Sequence, residues 1–348
     1  MIFSNQLIYW YLNNKRELPW RKTKDPYLVW LSEIMLQQTR VAQGLPYFVR
    51  FTETYKTVFD LAESDESTVL KLWQGLGYYS RARNLHFTAK YVANELNGIF
   101  PNNYKELLKL KGIGDYTASA IASICFDESV AVVDGNVYRV LSRYFGIKTP
   151  INSTKGIKEF KELAQTLIDS SQPGTYNQAI MDFGALHCKP QNPLCDTCPF
   201  LGSCVALEKK LIKELPVKEK KIKIKKRYFN FLVVLTDDNK TILEERIGKG
   251  IWQGLYQFPL IETQQPILED ELVNQKGFEN LFTEETTLSL FNIKDIVHKL
   301  SHQHLYTKFW IVKTPKINSK TVLWKEVKKY PVPILIDNFL NEYLNTKK

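Results

Sequence analysis

Residues 107–143, LLKLKGIGDYTASAIASICFDESVAVVDGNVYRVLSR, constrain the fold more than any other stretch. Two apolar helical patterns meet at Gly112-Ile113-Gly114, and a second turn, Asp134-Gly135-Asn136, opens a helix predicted over Val137 to Phe145. A glycine turn that feeds a helix leaves a row of backbone N–H groups without intrahelical partners. With the positive end of the helix dipole behind them, they suit a phosphate. Asp134 follows the apolar run Val130–Val133 and sets a carboxylate close to where that phosphate would lie. A phosphate holder beside a carboxylate suggests chemistry on a nucleic acid. The bland alternative is an ordinary turn followed by an Asp N-cap.

The chain of 348 residues is long enough for two domains, each with its own core. It contains no run of eighteen apolar residues, so no membrane span is expected. MIFSNQLIYWYLNNKR lacks the basic start and apolar block of a secretory signal, so a cytoplasmic location is expected. Net charge is +10, and nearly all of it lies in residues 209–227, KKLIKELPVKEKKIKIKKR, where ten Lys/Arg face two carboxylates. A basic belt between two near-neutral bodies fits a polyanion partner, or simply a solvated linker. Ile222 and Ile224 alternate with lysines, so part of the belt can become a strand.

Residues 15–24 look like a loop, and residues 26–39, PYLVWLSEIMLQQT, like a helix with Asp25 as N-cap and Pro26 in the first position. Leu28 to Leu36 is apolar all round, which argues burial, and only Ser32 and Glu33 interrupt it. A carboxylate there loses hydration and its pKa rises, which makes it a candidate general acid; an ion pair with an arginine is the alternative. In residues 66–97, Gly75 and Gly77 break a helical pattern ahead of two tyrosines and two arginines. Such a loop can stack on bases or wedge between them, though aromatic core explains either tyrosine alone. His86 is read as structural, and Cys125, in an apolar helical run, as a small core residue.

Cys188, Cys195, Cys198 and Cys204 form C-x6-C-x2-C-x5-C. Four thiols so close together in a cytosolic chain imply a metal or a cluster rather than disulfides. Zinc and iron–sulfur are not separated by thiolate count. Past the belt the pattern changes to short strands, Tyr228–Leu235, Thr241–Glu245 and Phe309–Lys313, ending in a helix over Ile334–Leu344, which predicts a smaller α+β domain. His298, His302 and His304 sit close together without cysteine or paired carboxylates, so a hydrogen-bonding loop is preferred to a metal site.

With these residues in view, the chain resembles the helix-hairpin-helix DNA glycosylase superfamily, through Gly112, Gly114, Asp134 and the four cysteines. Within it, LPWR at 18–21, LSEIMLQQTRV at 31–41, GLGYYSRARNL at 75–85 and VDGNVYRVLSR at 133–143 resemble the MutY family of adenine DNA glycosylases. WQGLYQFP and HKLSH resemble that family's Nudix-like C-terminal domain. The resemblance implies a multidomain chain. An all-α helix-hairpin-helix catalytic domain (1–208) carries an iron–sulfur cluster loop (188–204), followed by a basic linker (209–227) and an α+β Nudix-like 8-oxoguanine-recognition domain (228–348).

The resemblance further implies a 4Fe–4S cluster on Cys188, Cys195, Cys198 and Cys204, and a bacterial monomer associated with the nucleoid. Its partner would be double-stranded DNA carrying 8-oxoguanine:adenine or guanine:adenine mispairs, from which the adenine is flipped out and excised. Glu33 matches the general acid at adenine N7, Asp134 the carboxylate that stabilises an oxocarbenium-like sugar, Tyr116 a residue beside the sugar, and Asn136 a polar partner of the carboxylates. Arg16, Leu18, Trp20, Leu36 and Gln178 match the walls of the adenine pocket. Gln38, Thr39, Leu76 and Tyr78 match residues that enter the duplex, and His298, Ser301 and His302 a loop that reads the oxidised base. Leu300 stands there in place of the usual phenylalanine, and Asp115 puts an awkward negative charge beside the phosphate-holding turn.

Three rivals remain. A pyrimidine glycosylase/lyase of the endonuclease III type uses a lysine where this chain has Tyr116, and tyrosine forms no Schiff base, so a monofunctional enzyme is expected. A non-catalytic lesion sensor would not need both Glu33 and Asp134. Nucleotide-pyrophosphate hydrolysis by the C-terminal domain needs an Arg-Glu-x-x-Glu-Glu helix, and Glu269-Asp270-Glu271 lacks that spacing.

Overall fold

The structure is a computed structural model that describes residues 2–219, 224–282, 286–317 and 319–346. It divides into two compact units, residues 1–63 with 84–220 and residues 64–83 with 221–348. This differs from the sequential division at 208 and 228, because Ser64–Arg83 belongs with the C-terminal unit. Ile222 lies outside the described residues. Among the described residues no helix is long and apolar enough to cross a membrane.

Among the described residues, fifteen α-helices run in chain order. The first five are α1 (Ile2–Asn14), α2 (Pro26–Leu36), α3 (Val41–Thr54), α4 (Val58–Glu63) and α5 (Glu66–Leu72). Then come α6 (Ser80–Glu95), α7 (Tyr104–Leu107), α8 (Asp115–Cys125), α9 (Gly135–Phe145), α10 (Thr154–Leu167) and α11 (Pro173–Asp182). The last four are α12 (Val205–Glu208), α13 (Glu269–Val273), α14 (Lys276–Glu279) and α15 (Ile334–Thr346).

The first unit is all-α. Asp25 caps α2, its carboxylate accepting from the Tyr27 N–H at 2.9 Å, and Pro26 takes the first helical position. Trp30, Leu31, Ile34 and Met35 are buried, each such side chain contributing about 1.5–3 kcal/mol. The helix packs against α3 and α8. It ends at Leu36, three residues earlier than the pattern predicts, because Gln37 turns extended and Gln38 takes a left-handed φ of 55°. Asp134 caps α9, accepting from the N–H groups of Asn136 and Val137, both at 2.8 Å. His86 is buried, as expected of a structural residue. Cys125 is only half-buried, because it is the last residue of α8 and the chain turns away there.

In the second unit the strands are β1 (Lys225–Thr236), β2 (Lys240–Thr241), β3 (Glu244–Glu245), β4 (Tyr256–Gln257), β5 (Leu260–Thr263), β6 (Thr287–Leu290), β7 (Ile296–Lys299), β8 (Gln303–Thr314) and β9 (Val322–Leu323). A five-stranded sheet runs β5-β1-β8-β6, with β7 also on β8. β1 and β8 pair in parallel over their full lengths, from Lys225↔Gln303 to Thr236↔Thr314. Both faces are covered along Phe229–Val234, which explains the nearly continuous apolar run there; the one polar residue, Asn230, donates to the Ile261 carbonyl and accepts from the Trp310 indole. Both strands are longer than the sequence predicts, and Lys225–Arg227, assigned to the linker, already form β1.

Candidate active site

A cavity of about 380 Å³ in the first unit gathers residues from seven places in the chain. Arg16, Leu18, Trp20 and Arg21 come from the loop after α1, Val29, Glu33 and Leu36 from α2, and Thr39–Val41 from the turn beyond it. Tyr116 and Ile124 come from α8, Asp134 and Asn136 from the start of α9, Gln178 and Met181 from α11, and Ala185 from the turn after it. All five expected pocket walls and all four expected catalytic residues line this one space. A second opening beside it is lined by Leu36–Arg40, Tyr116, Asp134 and Gly135. Its volume lies in the roughly 300–1,000 Å³ range of small-molecule sites.

Glu33 is 6% exposed. Burial pushes its carboxyl up to about 7, against the hydrogen bond from Tyr116 and the charge of Arg21, and the nearby Asp134 adds to the rise. The Tyr116 hydroxyl also lies 3.2 Å from Met181 Sδ. A carboxylate is the stronger acceptor of the two, so the proton belongs to Glu33. Asp134 too is raised by burial, but two backbone N–H groups and the Asn136 amide, 2.7 Å from Oδ2, oppose the rise. One carboxyl therefore sits in an apolar wall and the other at a helix start, surrounded by donors.

Two parts of this site carried no signal in the sequence. Asp182, fully buried on α11, accepts hydrogen bonds from both Arg16 and Arg21, including Arg21 Nη2 at 2.8 Å and Arg16 Nε at 3.0 Å. Burial works against its charge, yet the two guanidinium groups hold its pKa below the usual carboxylate value. The other is Arg139, whose Nη2 donates to Asn136 Oδ1 at 2.8 Å and to the Gly184 carbonyl at 2.6 Å, while Nε donates to the Cys188 carbonyl at 2.7 Å. Gly184 permits this approach, since a Cβ there would lie 2.6 Å from Asn136 Cβ.

At the hairpin, Gly112 has φ +83° and a Cβ there would meet Asn84 at 2.8 Å. Gly114 precedes α8 without a side-chain cap, so the first amides of that helix are not spent on one. The awkward Asp115 is paired with Lys161 and the Tyr104 hydroxyl. Gln38 is exposed and Thr39 half-buried on the turn after α2.

Of the residues expected to meet the duplex in the second unit, Tyr78 is 48% exposed with φ 48°, and its hydroxyl lies 2.7 Å from Ser301 Oγ. Leu76 is buried rather than presented to solvent. His298 lies on β7 with its ring 5.8 Å from that of Trp252, and burial lowers its pKa. Leu300, half-buried, donates its N–H to the Gln303 carbonyl at 2.9 Å, and Ser301 and His302 are exposed at the turn.

Cys188, Cys195, Cys198 and Cys204 interact electrostatically. Burial and then mutual repulsion raise Cys195, Cys198 and Cys204, with Cys198 reaching about 11. The Phe200 N–H lies 3.4 Å from Cys198 Sγ and Arg143 Nη1 3.5 Å from Cys188 Sγ. Soft donors that repel one another as thiolates, with N–H groups aimed at two of the sulfurs, fit a cationic centre. Among the described residues, no three such side chains are arranged around a single metal ion.

Residues 31–166 match the HhH-GPD superfamily of base excision DNA repair proteins, and residues 230–342 the NUDIX domain. The adenine DNA glycosylase of Buchnera aphidicola subsp. Schizaphis graminum is 35% identical over 94% of this chain and 93% of its own length. The chain belongs to the adenine DNA glycosylase family. Its counterpart from Buchnera aphidicola subsp. Baizongia pistaciae is 39% identical over 90% of this chain and 86% of its own. A solved thermostable thymine-DNA glycosylase is 32% identical with a TM-score of 0.56, covering 60% of this chain and 96% of that one. The glycosylase thus acts on N-glycosyl bonds in base excision repair, with a helix-hairpin-helix domain followed in sequence by a NUDIX-like domain.

Proposed function

We propose that this glycosylase excises adenine paired with 8-oxoguanine or guanine in duplex DNA, and that the cavity around Glu33 receives the flipped-out base. The observation that carries the reading is the pair of carboxyls in unlike surroundings: Glu33 raised to about 7 in an apolar wall, Asp134 held among donors. Glu33, protonated, donates to adenine N7, so that the base departs neutral. Asp134 supplies the negative charge that the oxocarbenium-like sugar requires, and Asn136 fixes its orientation through the amide 2.7 Å away. Glu33, now ionised, draws a proton from the attacking water. Tyr116 donates a hydrogen bond to Glu33, which favours its ionised form once the proton has passed to the base, and offers no amine for a Schiff base, so the strand stays intact.

Leu18, Trp20 and Leu36 provide the apolar walls, and Arg16 and Gln178 the polar rim. The uncapped amides after Gly112 and Gly114 take a DNA phosphate. Gln38, Thr39 and Tyr78 support the opened duplex, with Leu76 buried in the second unit, and His298, Leu300, Ser301 and His302 read the oxidised partner. Cys188, Cys195, Cys198 and Cys204, soft donors that repel one another as thiolates, would hold a 4Fe–4S cluster. A cluster there would offset part of the thiolates' charge and hold residues 188–204 together.

The test is single-turnover treatment of a labelled duplex with one 8-oxoguanine:adenine pair. Strand breaks only after alkali are expected. Breaks without alkali would replace this reading with the glycosylase/lyase one, and tight binding without breaks would replace it with a lesion sensor.

A further inference from the structure

We propose that Tyr11 is a specificity-positioning residue, fixing the Gln178 carboxamide with its N–H donors turned to the base. The inference rests on reading the cavity as the adenine pocket. Tyr11 lies on α1, is 5% exposed, and does not line the cavity. Its hydroxyl donates to Gln178 Oε1 at 2.5 Å, while Gln178 does line the cavity. The Arg21 guanidinium sits 5.7 Å over the Tyr11 ring and is itself tied to Asp182, so the ring is held in place. Burial raises the phenol's pKa, which keeps it a donor throughout the neutral range.

A carboxamide is nearly symmetrical in shape, and only its partners decide which end is oxygen and which is nitrogen. The Tyr11 hydroxyl donates to Gln178 Oε1, which leaves the carboxamide nitrogen for the ligand. The position-1 nitrogen of adenine is an acceptor, whereas in guanine and hypoxanthine it carries a hydrogen. A fixed N–H donor satisfies the first and leaves two donors facing each other in the second, a mismatch that buried sites punish strongly. Arg16 turns Nε and Nη2 to Asp182, and Arg21 turns Nη1 and Nη2 to it, which leaves the Gln178 carboxamide the more open to the base.

The experiment uses the full, cluster-loaded chain and single-turnover release of adenine or hypoxanthine opposite 8-oxoguanine. It compares wild type, Tyr11→Phe, Gln178→Ala and the double variant. Tyr11→Phe keeps the ring and removes one donor, so the carboxamide can turn over. The expected result is a roughly three- to tenfold lower adenine rate, the scale of one hydrogen bond, and a hypoxanthine:adenine rate ratio raised by a similar factor. In the Gln178→Ala background, Tyr11→Phe should change nothing further. Equal losses on both bases, or an effect that persists without Gln178, would overturn the proposal and leave Tyr11 a packing residue. Failure of the wild type to release adenine would instead bring down the functional reading, and this inference with it.

Discussion

Arg139 Nη2 donates to Asn136 Oδ1 at 2.8 Å, and Asn136 in turn donates to Asp134 Oδ2 at 2.7 Å. The same guanidinium reaches the backbone of Cys188, so one side chain joins the carboxylate at the start of α9 to the cysteine segment. Arg139→Gln shortens that link and leaves buried carbonyls without a donor. Hydrogen bonds to a charged group are worth about 1.5–3 kcal/mol, so the excision rate should fall roughly 10- to 100-fold while duplex affinity holds. Parallel rate and binding measurements check this, and losses confined to binding would count against it.

Glu33 predicts a pH profile. Its pKa is raised, so the protonated acid dominates below about 7 and is lost as pH rises through that value. The single-turnover rate should fall about tenfold per pH unit well above 7. Stopped reactions across pH 5–9 measure it, and a rate that climbs with pH would assign Glu33 the role of base from the outset.

Asp182 carries two guanidinium groups, those of Arg16 and Arg21, on its oxygens. Asp182→Asn leaves both arginines partly buried and unpaired, which costs about 3 kcal/mol or more. For a unit of this size the melting temperature should drop by roughly 6–12 °C, read by thermal denaturation.

Cys198→Ser removes one of four proposed ligands. The purified variant should contain little iron, lose its visible absorbance and melt at least about 5 °C lower than wild type. Full iron content in the variant would move the cluster off these cysteines.

Much of the site was legible because local chemistry announces itself. A lone carboxylate in an apolar helix, an Asp before a helix start and four closely spaced cysteines each carry a physical reading without partners. Asp182 carried none, since its arginines lie 161 and 166 residues away and only the fold brings them near. The end of α2 was misplaced because nothing in Gln37-Gln38-Thr39 forbids helix; the left-handed Gln38 is set by tertiary structure. The start of β1 was hidden because ladder bonds join backbones, so Lys225–Arg227 pair with Gln303–Leu305 despite their polar side chains.

The most direct measurement is the single-turnover release of adenine opposite 8-oxoguanine by Glu33→Gln, which keeps the shape and removes the proton donor. A rate at least about 1,000-fold below wild type with unchanged duplex affinity is expected, within the range of a positioned acid. A rate within tenfold of wild type would contradict Glu33 as the acid that releases the base.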